Sequence, residues 1–111
     1  MFDMVVHKKG LSPSLIAKVM DYNPAKVFGL YGQKGAFELG FDGDIVIVDP
    51  EKAWKCRQEE LLTKGHVSCF DGLEGKGAPA YTIIRGKVVA KDGMYKEDAV
   101  GYGKYVTPTE K

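Results

Sequence analysis

The sequence predicts an α+β fold in which two short N-terminal helices are followed by a mainly β segment. Three features support this prediction: capping residues followed by proline occur in the first third of the chain, glycines become frequent after residue 29, and β-branched runs follow those glycines. We therefore divide the chain into a helical segment of residues 1–31, a β-rich segment of residues 32–106, and a frayed tail of residues 107–111.

Each predicted helix begins with a capping residue followed by proline. Ser12 is the expected N-cap of the first helix, with Pro13 at the first helical position, and Asn23 with Pro24 repeats this arrangement. Gly29 is expected to end the second helix. Apolar residues at helical spacing form one face of the first helix: Leu15, Ile16, Val19 and Met20. We expect two short helices that meet at a bend.

The first predicted strand is the run Ile45–Val48. The turn signal Asp42-Gly43 precedes it, and its residues are all β-branched with no polar alternation, which is typical of a strand covered on both faces. We expect Asp49-Pro50 to end this strand, because proline has no amide hydrogen to donate to a sheet.

The second half of the chain is predicted to contain a β-hairpin. Residues 81–84 and 87–90 are rich in β-branched side chains, and the two-residue turn Arg85-Gly86 separates them. A second turn is expected at residues 91–93, and residues 101–106 are expected to add an extended edge segment.

Two stretches before the hairpin are less regular. Residues 51–64 fit two interpretations, with Trp54 in a strand and residues 58–62 as one helical turn. Residues 66–79 are rich in glycine and polar groups, which predicts a long loop.

Composition narrows the classes of function. The chain has 111 residues, 44% hydrophobic and 28% charged, as is typical of one soluble domain. Its formal net charge of +1 provides no field of one sign that would attract nucleic acid or an anionic membrane. No apolar run approaches the roughly 20 residues that cross a bilayer. With two cysteines and no N-terminal basic and apolar signal segment, we expect a reducing, cytoplasmic setting.

Few residues could bind a metal or act as a nucleophile. His66 and Cys69 have a short spacing that a zinc ligand pair can use, but Cys56 and His7 are not at the offsets of any familiar four-ligand set. Surface histidines and half-buried thiols are the simpler interpretation. A nucleophilic Cys69 activated by His66 would also need a third, orienting group, and none is evident.

The other motifs have a sufficient structural explanation. The glycines of residues 72–77 and 101–104 resemble phosphate loops but lack the P-loop spacing, so loop geometry explains them. The remaining candidates are serines and aspartates expected at helix starts, turns and strand ends: Ser12, Ser14, Asp42, Asp44 and Asp49. We therefore assign no catalytic, cofactor-binding or metal-binding residue in this chain.

Four segments carry a resemblance to a known family: residues 23–35 (NPAKVFGLY and KG), 40–50 (GFDGDIVIVDP), 70–90 (FDGLEGKGAP and the strand pair) and 101–106 (GYGKYV). In this order they resemble the C-terminal region of the cyclic amidohydrolases, which include dihydroorotases, allantoinases and hydantoinases. The FDGLEGKGAP stretch looks most like dihydroorotases and allantoinases. Cys69 departs from the family pattern, where proline is common before Phe-Asp-Gly, and this difference is expected to alter a loop.

The resemblance implies a (β/α)8 barrel that holds one or two divalent metals, commonly zinc. In that family the ligands are a His-x-His, a lysine that is often carboxylated, two later histidines and an aspartate. The metals lower the pKa of a bridging water that attacks a cyclic amide, and the aspartate shuttles the proton. By this resemblance the chain supplies the last barrel helices and the C-terminal strands of a small β domain, which N-terminal strands usually complete. The metal ligands are expected upstream of Met1.

Two functions from different classes follow. In the first, the chain is the C-terminal part of a metal-dependent cyclic amidohydrolase and hydrolyses nothing by itself. In the second, it is a stand-alone binding or oligomerisation module that retains the same fold. A small cysteine or zinc enzyme would need a bound metal or a reactive Cys69. Unpaired strand edges and an apolar helix face predict self-association in the first case, whereas a well-dispersed monomer that captures a specific partner would favour the second.

Overall fold

A computed structural model, which describes residues 1–108, confirms the α+β class. Four helical segments come first, namely Asp3–Lys8, Ser14–Ala17, Lys18–Tyr22 and Asn23–Val27. Four strands follow, β1 (Ile45–Lys55), β2 (Glu74–Ile84), β3 (Lys87–Lys91) and β4 (Met94–Tyr95), together with single 3-10 turns at Gln58–Glu60 and Glu97–Ala99. The strands form one antiparallel sheet in the order β1-β2-β3-β4, so each strand pairs with its neighbours in sequence. The division of the chain at residue 31 stays a prediction.

The last three helical segments run directly into one another and form one helix over residues 14–27, called here the composite helix. Ser12 Oγ accepts a hydrogen bond from the amide of Ser14 at 3.3 Å, which confirms the predicted cap. Asn23 is not a cap, because its φ and ψ of −65° and −47° are helical, so the prediction of two helices meeting at a bend was wrong. The wider π-helical turn lies just before Pro24, whose ring would press on a carbonyl in a regular α-helix.

Strand β1 continues past the residues that were expected to end it. It runs through Asp49 and Pro50 to Lys55, and Trp54 lies in its last part, as one of the two interpretations proposed. The pairing with β2 shifts register between Asp49 and Ala53, and such a bulge accommodates a residue without an amide hydrogen. The predicted helical turn is also present as Gln58–Glu60.

Strand β2 begins at Glu74, so the loop predicted for residues 66–79 was too long. The two glycines at the start of β2 lie against aromatic rings. A Cβ on Gly75 would lie 2.7 Å from the ring of Trp54, and a Cβ on Gly77 would overlap the ring of Phe2. These glycines are therefore explained by close packing as well as by loop geometry.

Both predicted turns of the sheet are confirmed. Arg85 and Gly86 have φ of 45° and 78°, and Asp92 and Gly93 have φ of 51° and 84°, as two-residue hairpin turns require. Residues 101–106, expected as an extended edge, form no strand. Instead the guanidinium of Arg85 lies 4.4 Å from the ring centre of Tyr102 and donates to its carbonyl, so this segment packs on the hairpin turn. Of the predicted frayed tail, residues 109–111 lie outside the described residues.

The N-terminal segment Asp3–Lys8, which the sequence did not predict as a separate helix, is fastened to the sheet by side chains. Asp3 Oδ1 accepts a hydrogen bond from the amide of Lys76 at 2.9 Å, and His7 Nε2 lies 2.7 Å from the carbonyl of Pro50. The hydrogen bond from the Lys76 amide, aided by Lys8, holds the pKa of Asp3 below its ordinary value. The segment thus spans both β1 and β2.

Little of the apolar surface is covered. Ala25, on the composite helix, is the one apolar residue that is buried among those described. Val46 and Ile47 are 55% and 48% exposed, so the prediction that both faces of β1 are covered was wrong for this chain. The accessible surface is 8435 Å², whereas a folded monomer of 12.2 kDa exposes about 6,100 Å². No helix within residues 1–108 is long and apolar enough to cross a bilayer.

Gly77→Ala is expected to lower the free energy of unfolding by about 1–3 kcal/mol more than Gly93→Ala. The two glycines have φ of 88° and 84°, so both substitutions share a similar backbone cost. Only at Gly77 does the added methyl meet a side chain, the ring of Phe2, while nothing lies within 4 Å at Gly93. Urea denaturation followed by circular dichroism measures the difference. Phe2→Ala should reduce it, and equal losses in both glycine variants would contradict the packing contact.

Candidate functional site

The residues considered for a zinc site do not come together. Among residues 1–108, no group of three or more His, Cys, Asp or Glu side chains could hold a metal ion. His7 contacts the Pro50 carbonyl, and His66 lies in a turn with a φ of 44°. Cys56 and Cys69 are both free, and the Cys56 thiol lies 4.0 Å from Ser68 Oγ. No residue of this part of the chain is therefore assigned to a metal.

The candidate serines and Asp49 serve the backbone. Ser12 and Ser14 hydrogen-bond to each other through their hydroxyls at 2.7 Å at the start of the composite helix. Asp49 Oδ1 accepts hydrogen bonds from the amides of Glu51 and Lys52 at 3.0 and 3.2 Å. These contacts support the structural interpretation of the three side chains.

The most organised group of polar and charged side chains is called here the Lys34 cluster. It consists of Gln33, Lys34, Asp42 and Asp44. Lys34 Nζ lies 2.7 Å from Asp42 Oδ2 and also pairs with Asp44. Gln33 Nε2 donates to Asp42 Oδ2 at 3.2 Å. One ammonium is thus held between two carboxylates, and an amide adds a further hydrogen bond.

The Lys34 cluster connects the loop after the composite helix to the hairpin turn of the sheet. Asp44 Oδ1 accepts a hydrogen bond from the amide of Arg85 at 2.8 Å, and the Gly43 carbonyl accepts one from the amide of Gly86 at 3.0 Å. Asp44 therefore contacts Lys34 with one oxygen and the hairpin with the other. This arrangement fixes the start of β1 against the β2–β3 turn.

The charges of the cluster stabilise one another in their ionised forms. The hydrogen bond from Lys34 is the main cause that lowers the pKa of Asp42 below its ordinary 3.8. Partial burial would by itself lower the pKa of Lys34, but its hydrogen bonds to Asp42 and Asp44 outweigh this and raise it. Both shifts favour the ion pair at neutral pH.

An open groove of about 480 Å³ lies beside the cluster, between the composite helix and the start of β1. Its walls are mostly apolar and include Ala17, Pro24, Phe28, Phe37 and Val46. Phe28 and Phe37 are 67% and 86% exposed, so the groove is a surface for packing rather than an enclosed pocket. Since both carboxylates of the cluster are engaged by Lys34, the arrangement offers neither a free general base nor a vacant cation site.

Sequence reasoning identified Asp42 and Asp44 as turn residues but did not pair them with Lys34. The pair was not visible because Lys34 lies eight and ten residues before them in a glycine-rich stretch without periodicity. The contact of Arg85 with Tyr102 was also missed, because the two residues are 17 positions apart in the sequence. In both cases glycines with positive φ lie between the partners, at residues 35 and 40 in the first and at residues 86, 93 and 101 in the second.

Comparison with known proteins identifies the family. Residues 2–89, which are most of the chain, match the Amidohydrolase family. The chain therefore belongs to the amidohydrolase family, as the four sequence segments predicted.

The individual relatives are named as hydantoinases, dihydroorotases and a dihydropyrimidinase. A solved L-hydantoinase (dihydropyrimidinase) from Arthrobacter aurescens is similar with a TM-score of 0.82 and 38% identity over 86% of this chain and 21% of that one. A curated L-hydantoinase from Paenarthrobacter aurescens is 38% identical over 92% of this chain and 22% of its own length. A dihydroorotase from Methanothermobacter thermautotrophicus is 34% identical over 92% of this chain and 23% of its length. The chain thus spans about a fifth of the length of these relatives.

Lys34→Met is expected to destabilise the chain more than Lys52→Met, because it removes the ammonium group that pairs with both Asp42 and Asp44. Lys52 and Asp92 form a more exposed pair and provide the matched control. Urea midpoints at neutral pH measure the effect. Equal losses would show that the cluster contributes no more than an ordinary surface pair.

The Lys34 cluster also predicts a pH dependence of stability. Asp42 contributes stability that is fully present above its ordinary pKa of 3.8 and is lost as the pH falls through its lower folded pKa. Lys34→Met should remove most of this acid-side loss, whereas Lys64→Met, at an exposed lysine in a turn, should retain it. Urea midpoints measured across the acid range test this, and an unchanged acid profile in Lys34→Met would contradict it.

Proposed function

We propose that the chain is the C-terminal part of a metal-dependent enzyme that hydrolyses the C–N bond of a cyclic amide. The single observation that carries this proposal is the match of residues 2–89 to the Amidohydrolase family. The similarity in fold to a solved L-hydantoinase supports it. In the whole enzyme, zinc or another divalent metal would activate the attacking water.

The proposed substrate is a small ring that contains an amide. The sequence favoured dihydroorotase or allantoinase chemistry, and the relatives are named for hydantoin, dihydroorotate and dihydropyrimidine. We therefore propose a hydantoin-like or dihydroorotate-like ring, with allantoin as a further substrate to test. The two free thiols favour a reducing, cytoplasmic setting.

Within such an enzyme the role proposed for this chain is structural. Its most organised charges, Lys34, Asp42 and Asp44, are paired with each other. Among residues 1–108, no three His, Cys, Asp or Glu side chains are grouped so that they could hold a metal ion. The exposed apolar side chains of the groove, such as Phe28 and Phe37, provide a surface against which other parts of an enzyme can pack.

A second candidate function is a binding or oligomerisation module with the same fold. The observation that favours it is the large exposed apolar surface of the composite helix and β1. The two candidates differ in what covers that surface: the rest of a hydrolase in the first case, and a separate partner or another copy in the second.

The pure chain supplied with zinc is expected to show no hydrolysis of hydantoin, dihydroorotate, dihydropyrimidine or allantoin. The informative test is a chimera in which residues 2–89 of this chain, the part that matches the family, replace the corresponding segment of the 38%-identical L-hydantoinase. If the role of the segment is structural, the chimera should bind metal and open the hydantoin ring. Loss of product formation in a folded, metal-loaded chimera would count against the structural role.

The control for the chimera is the same exchange carrying Lys34→Met. The substitution should lower the thermal stability of the chimera while its KM stays near that of the chimera with Lys34, because the cluster positions a loop and does not touch substrate. Ring opening by the pure 111-residue chain would overturn the proposal of a non-catalytic part.

A further inference from the structure

The connection between β1 and β2 returns to the residue at which it begins. Cys56 directly follows β1, and its amide donates to the Leu73 carbonyl at 2.8 Å. Its own carbonyl accepts a hydrogen bond from the amide of Gly72 at 2.9 Å. Cys56 therefore continues the pairing of the two strands beyond the end of β1, and the last residues of the connection lie beside it.

The turn that carries the second cysteine lies against the Cys56 thiol. The amide of Asp71 donates to the Ser68 carbonyl at 3.3 Å, so Cys69 occupies a central position of a turn over residues 68–71, and it is exposed. The Cys56 thiol lies 4.0 Å from Ser68 Oγ. Because consecutive Cα atoms are about 3.8 Å apart, Cys69 is one such step from the residue that the Cys56 thiol contacts.

The two ends of this connection are fixed, whereas the part between them is held by local contacts. Near the start, the amide of Gln58 donates to Asp71 Oδ1 at 2.9 Å. Within the described part of the chain, the hydrogen bonds of residues 59–67 have both partners within residues 57–66. The turn at Cys69 can therefore shift without breaking the ladder between β1 and β2.

We propose that Cys56 and Cys69 form a reversible disulfide, which makes the β1–β2 connection sensitive to redox conditions. A disulfide joins cysteines whose Cα atoms lie roughly 4.4–6.8 Å apart, and a small movement of the exposed turn puts Cys69 in the place of Ser68 beside the Cys56 sulfur. All of these contacts lie within one connection between adjacent strands. The pairing thus depends neither on the hydrolase proposal nor on polypeptide that packs on the open apolar surfaces.

The oxidant in this step is a low-molecular-weight disulfide of the glutathione class. The thiolate of the exposed Cys69 attacks one sulfur of that disulfide, which forms a mixed disulfide and releases one small thiol. The Cys56 thiolate then attacks Cys69 Sγ, which forms the bond within the protein and releases the second small thiol. The two protein thiols lose two electrons and two protons in total, and the small disulfide is reduced to two thiols. In a reducing compartment the cysteines stay free, and they pair when the ratio of small disulfide to thiol rises.

The test equilibrates the full chain in buffers of reduced and oxidised glutathione. The expected product is a disulfide within one chain, measured as the loss of both titratable thiols and a mass lower by two hydrogen atoms. Trypsin cleaves at Arg57 and Lys64, which lie between the cysteines, so a pair of linked peptides identifies the bond. The urea midpoint of the oxidised chain should exceed that of the reduced chain, because the closed ring restricts the unfolded chain.

A thiol elsewhere in the same connection provides the matched control. In a chain with Cys69→Ser, Thr63→Cys places an exposed thiol seven residues from Cys56, whereas Cys69 is thirteen residues away. Chain length alone favours the shorter ring. In the folded protein, the equilibrium constant with glutathione should nevertheless be at least about tenfold larger for Cys56 with Cys69 than for the control pair. This preference should disappear in urea.

Three results would overturn the proposal. The first is a folded chain that gives mixed disulfides at both cysteines, or disulfides between chains, in place of the ring. The second is an equal equilibrium constant for the natural and the control pair in the folded protein. The third is a ring that forms but lowers the urea midpoint, because the fold then resists the bond.

Discussion

The lack of a covered apolar core governs this structure. A chain of this mass normally hides most of its apolar side chains, yet Ala25 is the one apolar residue that is buried among residues 1–108. The radius of gyration of 15.6 Å, against about 13 Å for a compact domain of this length, expresses the same constraint. Stability must therefore come from the antiparallel ladder of the sheet and from side chains that bridge distant segments, because hydrophobic burial contributes less than in an ordinary domain.

Two such bridges hold the helical part on the sheet. Asp3 accepts the amide of Lys76 on β2, and Asp44 joins Lys34 to the hairpin turn at Arg85. In each case one carboxylate oxygen accepts a hydrogen bond from a backbone amide of the sheet, and the other oxygen forms an ion pair with a lysine. At Asp3 this lysine is Lys8. A charge-assisted hydrogen bond of this kind is stronger than a neutral one and aligns two segments without burying much surface. The apolar surface can remain open in this chain because relatives in the amidohydrolase family, at about four times its length, carry further polypeptide that can pack on such a surface.

Local signals in the sequence predicted the parts of the fold that depend on local chemistry. The turn at Arg85-Gly86 and the cap at Ser12 were read correctly, because each needs only two or three neighbouring residues. The predicted end of β1 was wrong because a bulge in the pairing with β2 accommodates Pro50. The predicted break between two helices at Asn23 was wrong because a π-helical turn makes room for Pro24. The Lys34 cluster could not be predicted, since its members meet only after the glycine-rich loop has folded back on the hairpin.

The difference between the correct and the incorrect predictions bears on function. The end of β1 was misjudged because a distant segment acts on a local signal, whereas the correctly predicted hairpin of residues 81–90 lies in a segment that also carried the family resemblance. A segment whose turns are encoded locally can keep its conformation while its neighbours differ, which is consistent with a TM-score of 0.82 at 38% identity. The catalytic chemistry of an amidohydrolase needs several ligands brought together from distant positions, and residues 1–108 bring together lysine, carboxylates and apolar groups instead. These groups suit the structural role proposed above, in which further polypeptide packs on the exposed apolar side chains.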